Sequence, residues 1–147
     1  MESIDPQKAA QVWQRVQGRE VRGLTPQVLQ EMIVEEWTDK IIYQQLADRF
    51  SGKERTLLRQ MGQQEQEHLI CLQGIYVLLC DKPPNLGIQP PELGGTRQLL
   101  RRCYGREMRT IARYESFSEE PEYGGVFRQL IRQEWEHCRK LLQLLAK

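Results

Sequence analysis

LLRQMGQQEQEHLICLQGIYVLL, residues 57–79, is apolar at helical spacing yet carries Glu65 and His68 in its middle. Side chains three or four residues apart share a helix face, so Leu58, Met61, Glu65, His68, Leu72 and Leu79 fall on one stripe. Glu65 and His68 then lie about 4.5 Å apart along the axis and point the same way. A charge buried on such a stripe is costly unless something compensates it. The chain repeats the arrangement. Phe127, Leu130, Glu134, His137, Leu141 and Leu144 or Leu145 form a second stripe with the same Glu-x-x-His pair at its centre.

Working outward, Thr25-Pro26 is a helix start, an N-cap residue followed by proline at the first helical position. The spacing predicts a first helix from there to about Phe50, with Leu29, Ile33, Trp37, Ile41, Leu46 and Phe50 among its apolar positions. Ser51-Gly52-Lys53-Glu54 joins a glycine turn to a capping box. A second helix follows to about Cys80, so the first two form an antiparallel hairpin. Residues 81–95 hold two Pro-Pro pairs and three glycines, which exclude regular structure. At ~3.3 Å per residue that segment can extend ~50 Å, enough to run the length of a helix. Thr96 is expected to cap a third helix, reaching about Phe117, and Ser118-Glu119-Glu120-Pro121 to turn the chain into a fourth. Two hairpins joined by one long crossover make an all-α, ferritin-like four-helix bundle over 25–147. Residues 1–24 are expected to be an N-terminal arm with a short helix at 6–17, bearing Val12, Trp13 and Val16 on one side.

If the second and fourth helices each offer Glu-x-x-His, the other two must each add a carboxylate at the same depth. The third helix has one clear candidate, Glu107, on a stripe with Leu100, Cys103, Ile111 and Tyr114. The first offers Glu31, Glu35 and Glu36; Glu36 is preferred because Tyr43 follows it by seven residues, as Tyr114 follows Glu107. The hairpins then match as units: Glu36, Tyr43, Glu65, His68 against Glu107, Tyr114, Glu134, His137. Four carboxylates converging in a bundle repel one another, and two divalent cations bring the set near neutrality. Carboxylate with imidazole suits iron, manganese or zinc. Tyr43 and Tyr114 are the candidate catalytic side chains, as hydrogen-bond donors to ligand carboxylates. Asp39 and Lys40, a turn beyond Glu36, are unusually polar for a position facing the site.

The 147 residues suffice for one domain with a real core. A net charge of +1 with both signs interspersed gives no nucleic-acid footprint, and no run is apolar enough to span a membrane. Met1-Glu2-Ser3-Ile4-Asp5 has neither the basic nor the apolar region of a signal peptide, so a cytoplasmic location is expected. Cys71, Cys80, Cys103 and Cys138 lack C-x-x-C spacing and are expected to be reduced and mostly buried.

These motifs resemble the ferritin-like superfamily, most closely its rubrerythrin branch, over about residues 26–146: Glu36…Tyr43, Glu65-Gln-Glu-His68, Glu107…Tyr114 and Glu134-Trp-Glu-His137. The resemblance implies a carboxylate-bridged centre of two iron ions, with Glu65 and Glu134 bridging, Glu36 and Glu107 terminal, and His68 and His137 each on one iron. It implies an oxidoreductase of peroxidase or ferroxidase type, the alternative being a non-catalytic metal-binding protein. Full-length rubrerythrins also carry a C-terminal rubredoxin domain and an additional glutamate one turn from the third-helix ligand. Here the sequence ends at Lys147, and Tyr104 and Thr110 flank Glu107 by a turn. The resemblance also implies an external electron donor such as rubredoxin as a partner. A homodimer is expected too, because Val34 and Trp37 exceed the apolar surface one bundle needs, with the arm as contact or helices exchanged across 81–95.

Overall fold

The computed structural model describes residues 23–85 and 89–147; the expected helix at 6–17 lies outside them. The described residues form four helices: α1 (Pro26–Ala47), α2 (Gly52–Cys80), α3 (Thr96–Glu115) and α4 (Gly124–Leu145). α1 packs along α2 and α3 along α4, making the two hairpins. The protein is an all-α bundle, as its hydrophobic period requires.

α1 starts as its sequence dictates. The Thr25 hydroxyl accepts the Val28 N–H at 3.2 Å, and Pro26 occupies the first turn, where a missing N–H costs nothing. The helix ends at Ala47, three residues short of the expected Phe50, because the N–H groups of Asp48, Arg49 and Phe50 bond back only three residues. The capping box at Ser51 does not form: Ser51 makes no side-chain cap bond, and Glu54 pairs with Lys147. Gly52 is the reason. Its φ of +61° breaks the helical run over which a serine would have to reach forward. The Arg55 guanidinium instead serves the end of α1, donating to the Ala47 and Phe50 carbonyls.

The described parts of the crossover meet both ends of α1. Gln30, near the start of α1, donates to the Asn85 carbonyl, and Arg49, just past its end, donates to the Gly94 carbonyl at 2.8 Å. Those two arms are 19 positions apart (49 − 30), about 28 Å of helix. α3 is preceded by Gly95 in the extended N-cap conformation, not by Thr96 as expected, and the Thr96 hydroxyl accepts from Arg49 instead. Before α4 the Glu120 carboxylate accepts the N–H groups of Glu122 and Tyr123. Gly124 is required by packing, since a Cβ there would meet the Ser118 carbonyl oxygen at 2.5 Å.

The core is two apolar plugs with a polar layer between them. One plug holds Leu29, Ile33, Leu72, Tyr76 and Phe127; the other holds Leu46, Leu58, Met61, Leu99 and Leu141. Each such side chain contributes about 1.5–3 kcal/mol on burial. Several expected core positions behave differently. Leu79 is 42% exposed, while Ile75 and Tyr76 are buried and Cys80 packs against the core beyond them, because a seven-residue repeat drifts off the inward face of a helix with about 3.6 residues per turn. Trp37 and Ile41 are only half-buried, the inward stripe of α1 passing through Met32, Glu36, Asp39 and Tyr43. All four cysteines are free; Cys103 and Cys138 are buried and Cys80 half-buried, but Cys71, one residue off the inward stripe, is exposed. Among the described residues no helix is long and apolar enough to cross a membrane.

Candidate metal centre

Every side chain of the polar layer comes from a middle turn of a helix, with the plugs above and below. Glu36, Glu65, Glu107, Glu134 and His137 are fully buried, His68 is 1% exposed and Asp39 3%. Two overlapping groups form. In one, ligand atoms of Glu36, Glu65, His68 and Glu134 lie within 4.8 Å of one another; in the other, those of Glu65, Glu107, Glu134 and His137 do. Glu65 and Glu134 belong to both. Glu36, not Glu35, faces inward; Glu35 is exposed and pairs with Arg106 at 2.7 Å, and Glu31 pairs with Arg113.

The donor atoms have an order of their own. Tyr43 Oη donates to Glu107 Oε1 at 2.7 Å, and Tyr114 Oη donates to Glu36 Oε1. Each tyrosine thus serves the carboxylate of the opposite hairpin. Glu36 and Glu107 are left with one oxygen apiece without a partner, whereas both oxygens of Glu65 and of Glu134 lack one. The Nδ1 atoms of His68 and His137 also lack hydrogen-bond partners. Eight buried polar atoms therefore converge without a hydrogen-bond partner, against the general rule that such atoms are satisfied. His68 Nδ1 is 2.6 Å from Glu134 Oε1, and His137 Nδ1 is 2.7 Å from Glu65 Oε1. Such close acceptor pairs need a proton or a metal cation between them. The donor set fits a transition metal by number, chemistry and burial.

Sequence reasoning missed two participants at the imidazoles. His137 Nε2 lies 2.6 Å from Gln64 Oε1, and His68 Nε2 bonds Gln133 Oε1. Both glutamines immediately precede the shared glutamates, so the repeated unit is Gln-Glu-x-Glu-His and not Glu-x-x-His: Gln64-Glu65-Gln66-Glu67-His68 and Gln133-Glu134-Trp135-Glu136-His137. A five-residue comparison of the two stripes would have found them.

Proton affinities follow the crowding. Burial, then the charges of Glu36 and Glu107, push Glu65 well above the usual carboxylate range. Burial also raises Glu36, but the neighbouring Glu65, His68 and Tyr114 outweigh it and hold that group below its ordinary value. Burial lowers His68, and Glu36 more than reverses this. Tyr43 and Tyr114 are driven well above 10, first by burial and then by the carboxylates they bond, so both remain donors. Asp39 accounts for its polar position by pairing with Arg106 Nε at 2.6 Å; burial, followed by Glu107, still raises its carboxyl.

Comparison with known proteins agrees with this geometry. No protein-family model matches the chain, and no curated protein does. A crystal structure of a ferritin-like, diiron-carboxylate protein from Bacillus anthracis str. Ames superposes with a TM-score of 0.66 at 25% identity, over 82% of this chain and 94% of the other. The fold is ferritin-like. The bundle, the crossover and the buried carboxylate–histidine layer together support a ferritin-like, diiron-carboxylate type of site, which is coarser than the rubrerythrin branch that the sequence resembles.

Proposed function

We propose that the chain holds two iron ions in this layer and acts as a rubrerythrin-like oxidoreductase that reduces peroxide or dioxygen. The observation that carries the reading is the pattern of unpartnered atoms. Glu65 and Glu134 each have two free oxygens and belong to both groups, as bridging ligands must, while Glu36 and Glu107 each have one, as terminal ligands need. His68 and His137 each supply one nitrogen. Four glutamates carry about −4, which two divalent cations offset, so the filled layer can stay buried.

Ferrous iron held there would supply the electrons for reducing peroxide or dioxygen. The chain's own residues supply the rest. Tyr43 and Tyr114 fix the terminal carboxylates by one oxygen and leave the other to bind. The apolar plugs exclude water, and Asp39 with Arg106 closes the α1–α3 side. The reading includes an external electron donor and a homodimer; exposed Ile70, Val77 and Leu78 on the outer side of α2 supply apolar surface for self-association.

The test is anaerobic. Protein loaded with ferrous iron should retain about two ions per chain and be oxidised on addition of peroxide, read as loss of chelatable ferrous iron. Protein that keeps its iron but ignores peroxide and dioxygen would be a non-catalytic metal-binding bundle. Protein that keeps no metal would overturn the reading at its base.

A further inference from the structure

Each histidine of the layer has a partner on its outer nitrogen and none on its inner one. His137, on α4, meets Gln64 of α2 through Nε2, and His68, on α2, meets Gln133 of α4 through Nε2. An amide oxygen can only accept, so Nε2 carries the hydrogen in both rings. Nδ1, in both rings the atom aimed at the carboxylates, is then the nitrogen left to give its lone pair to a metal in place of a proton. A buried histidine serving only to pack would have both nitrogens satisfied. Here the same half-satisfied state occurs twice, with the partners exchanged between helices. The two rings also lie 6.2 Å apart between centroids and 24° from parallel, so both are held in related orientations.

We propose that Gln64 and Gln133 are the positioning residues of the metal pair: each accepts the Nε2–H hydrogen bond of the histidine on the opposite helix, fixing that ring so that Nδ1 is the ligand atom. This rests on the metal-centre reading above. The chemistry of the partner matters as well. A carboxylate at the same place would draw the Nε2 proton towards itself and make the imidazole a stronger electron donor. A neutral amide orients the ring without adding charge, so the match of four carboxylates to two divalent cations is preserved. The assignment is crossed: Gln64 acts on the ion bound by His137, and Gln133 on the ion bound by His68.

The test uses zinc as a diamagnetic probe, with competition against a chromophoric chelator and 15N–1H spectra of the imidazoles in the zinc-loaded protein. The wild type should bind two zinc ions and show two protected Nε2–H signals. Gln64→Leu should weaken one of the two zinc sites about tenfold to a hundredfold. It should expose the His137 Nε2–H to exchange and leave the His68 signal in place; Gln133→Leu should do the converse. A role limited to packing would lower the melting temperature and move neither signal. Should the leucine variants not fold, Gln64→Glu and Gln133→Glu keep an acceptor. Each should tighten zinc at its crossed site and lower the midpoint potential of the iron-loaded protein. Two zinc ions bound by the wild type, with affinities and Nε2–H signals unchanged in the variants, would overturn this inference alone. A wild type that binds no zinc in the layer would overturn the metal centre and this inference with it.

Discussion

Tyr43→Phe removes one hydroxyl and changes little else, because the ring is 1% exposed and its place in the core is unaltered. What it takes away is the 2.7 Å bond to Glu107 Oε1, inside a layer where no other donor serves that oxygen. Bonds to charged groups contribute about 1.5–3 kcal/mol, and an acceptor left buried without a donor forfeits a comparable amount. A loss of about 2 kcal/mol is expected, or about 4–8 °C in melting temperature for a chain of this size. The assay is a double-mutant cycle in chelator-treated protein, combining Tyr43→Phe with Glu107→Leu and reading stability by denaturant unfolding. Chelation keeps metal affinity out of the comparison. The coupling should approach the full loss, since once the carboxylate is gone the hydroxyl has nothing to hold. A control comes from the crossed pattern: Tyr43→Phe with Glu36→Leu should couple less, because Glu36 takes its bond from Tyr114. Equal coupling of Tyr43 to Glu36 and to Glu107 would refute the assignment of each tyrosine to the opposite hairpin.

Three further outcomes are expected. His68→Ala and His137→Ala should each lower bound metal from about two ions per chain to about one, measured by elemental analysis; unchanged content in both would remove them from the site. Glu107→Ala should suppress peroxide-dependent oxidation of the ferrous protein far more than Glu35→Ala does, since Glu35 is exposed and its pair with Arg106 is worth no more than about 1 kcal/mol. The metal-free protein should become more stable as pH falls from neutral towards 5. Glu65 and Asp39 bind protons more tightly folded than unfolded, so stability rises as pH drops through their raised values towards 4.5 and 3.8. His68 acts in the same direction, its raised value adding stability that is complete below 6.5. Glu36, lowered, opposes this only below 4.5. Denaturant midpoints that fall steadily between pH 7 and 5 would contradict the burial of these groups.

The hairpins, the crossover and the depth of Glu36, Glu65, His68, Glu107, Glu134 and His137 were legible because helical period fixes which residues share a face. Glu36 was separable from Glu35 by the matching tyrosine spacing, since one residue is a 100° turn of the helix. Period says nothing of which neighbouring helix a face meets. For that reason the crossing of Tyr43 to Glu107 and Tyr114 to Glu36 was out of reach, as was the pairing of Asp39 with Arg106. The capping box failed at Ser51 because a motif of side chains presumes a backbone that Gly52 does not adopt. Leu79 misled because a seven-residue spacing rotates by about 20° per repeat on a helix, which carries it off the inward face that Tyr76 and Cys80 keep.

The tyrosine and glutamine bonds all run from one hairpin to the other, and none closes within its own. Neither half of the chain can therefore finish a ligand set on its own: each makes a carboxylate and an imidazole whose orientation is dictated by the other. On the metal-centre reading, a complete ligand set exists only once the two halves have docked in register, so a tightly held ion would certify that they have. With the hairpins apart, the same carboxylates would have no organised place in which to concentrate a reactive metal.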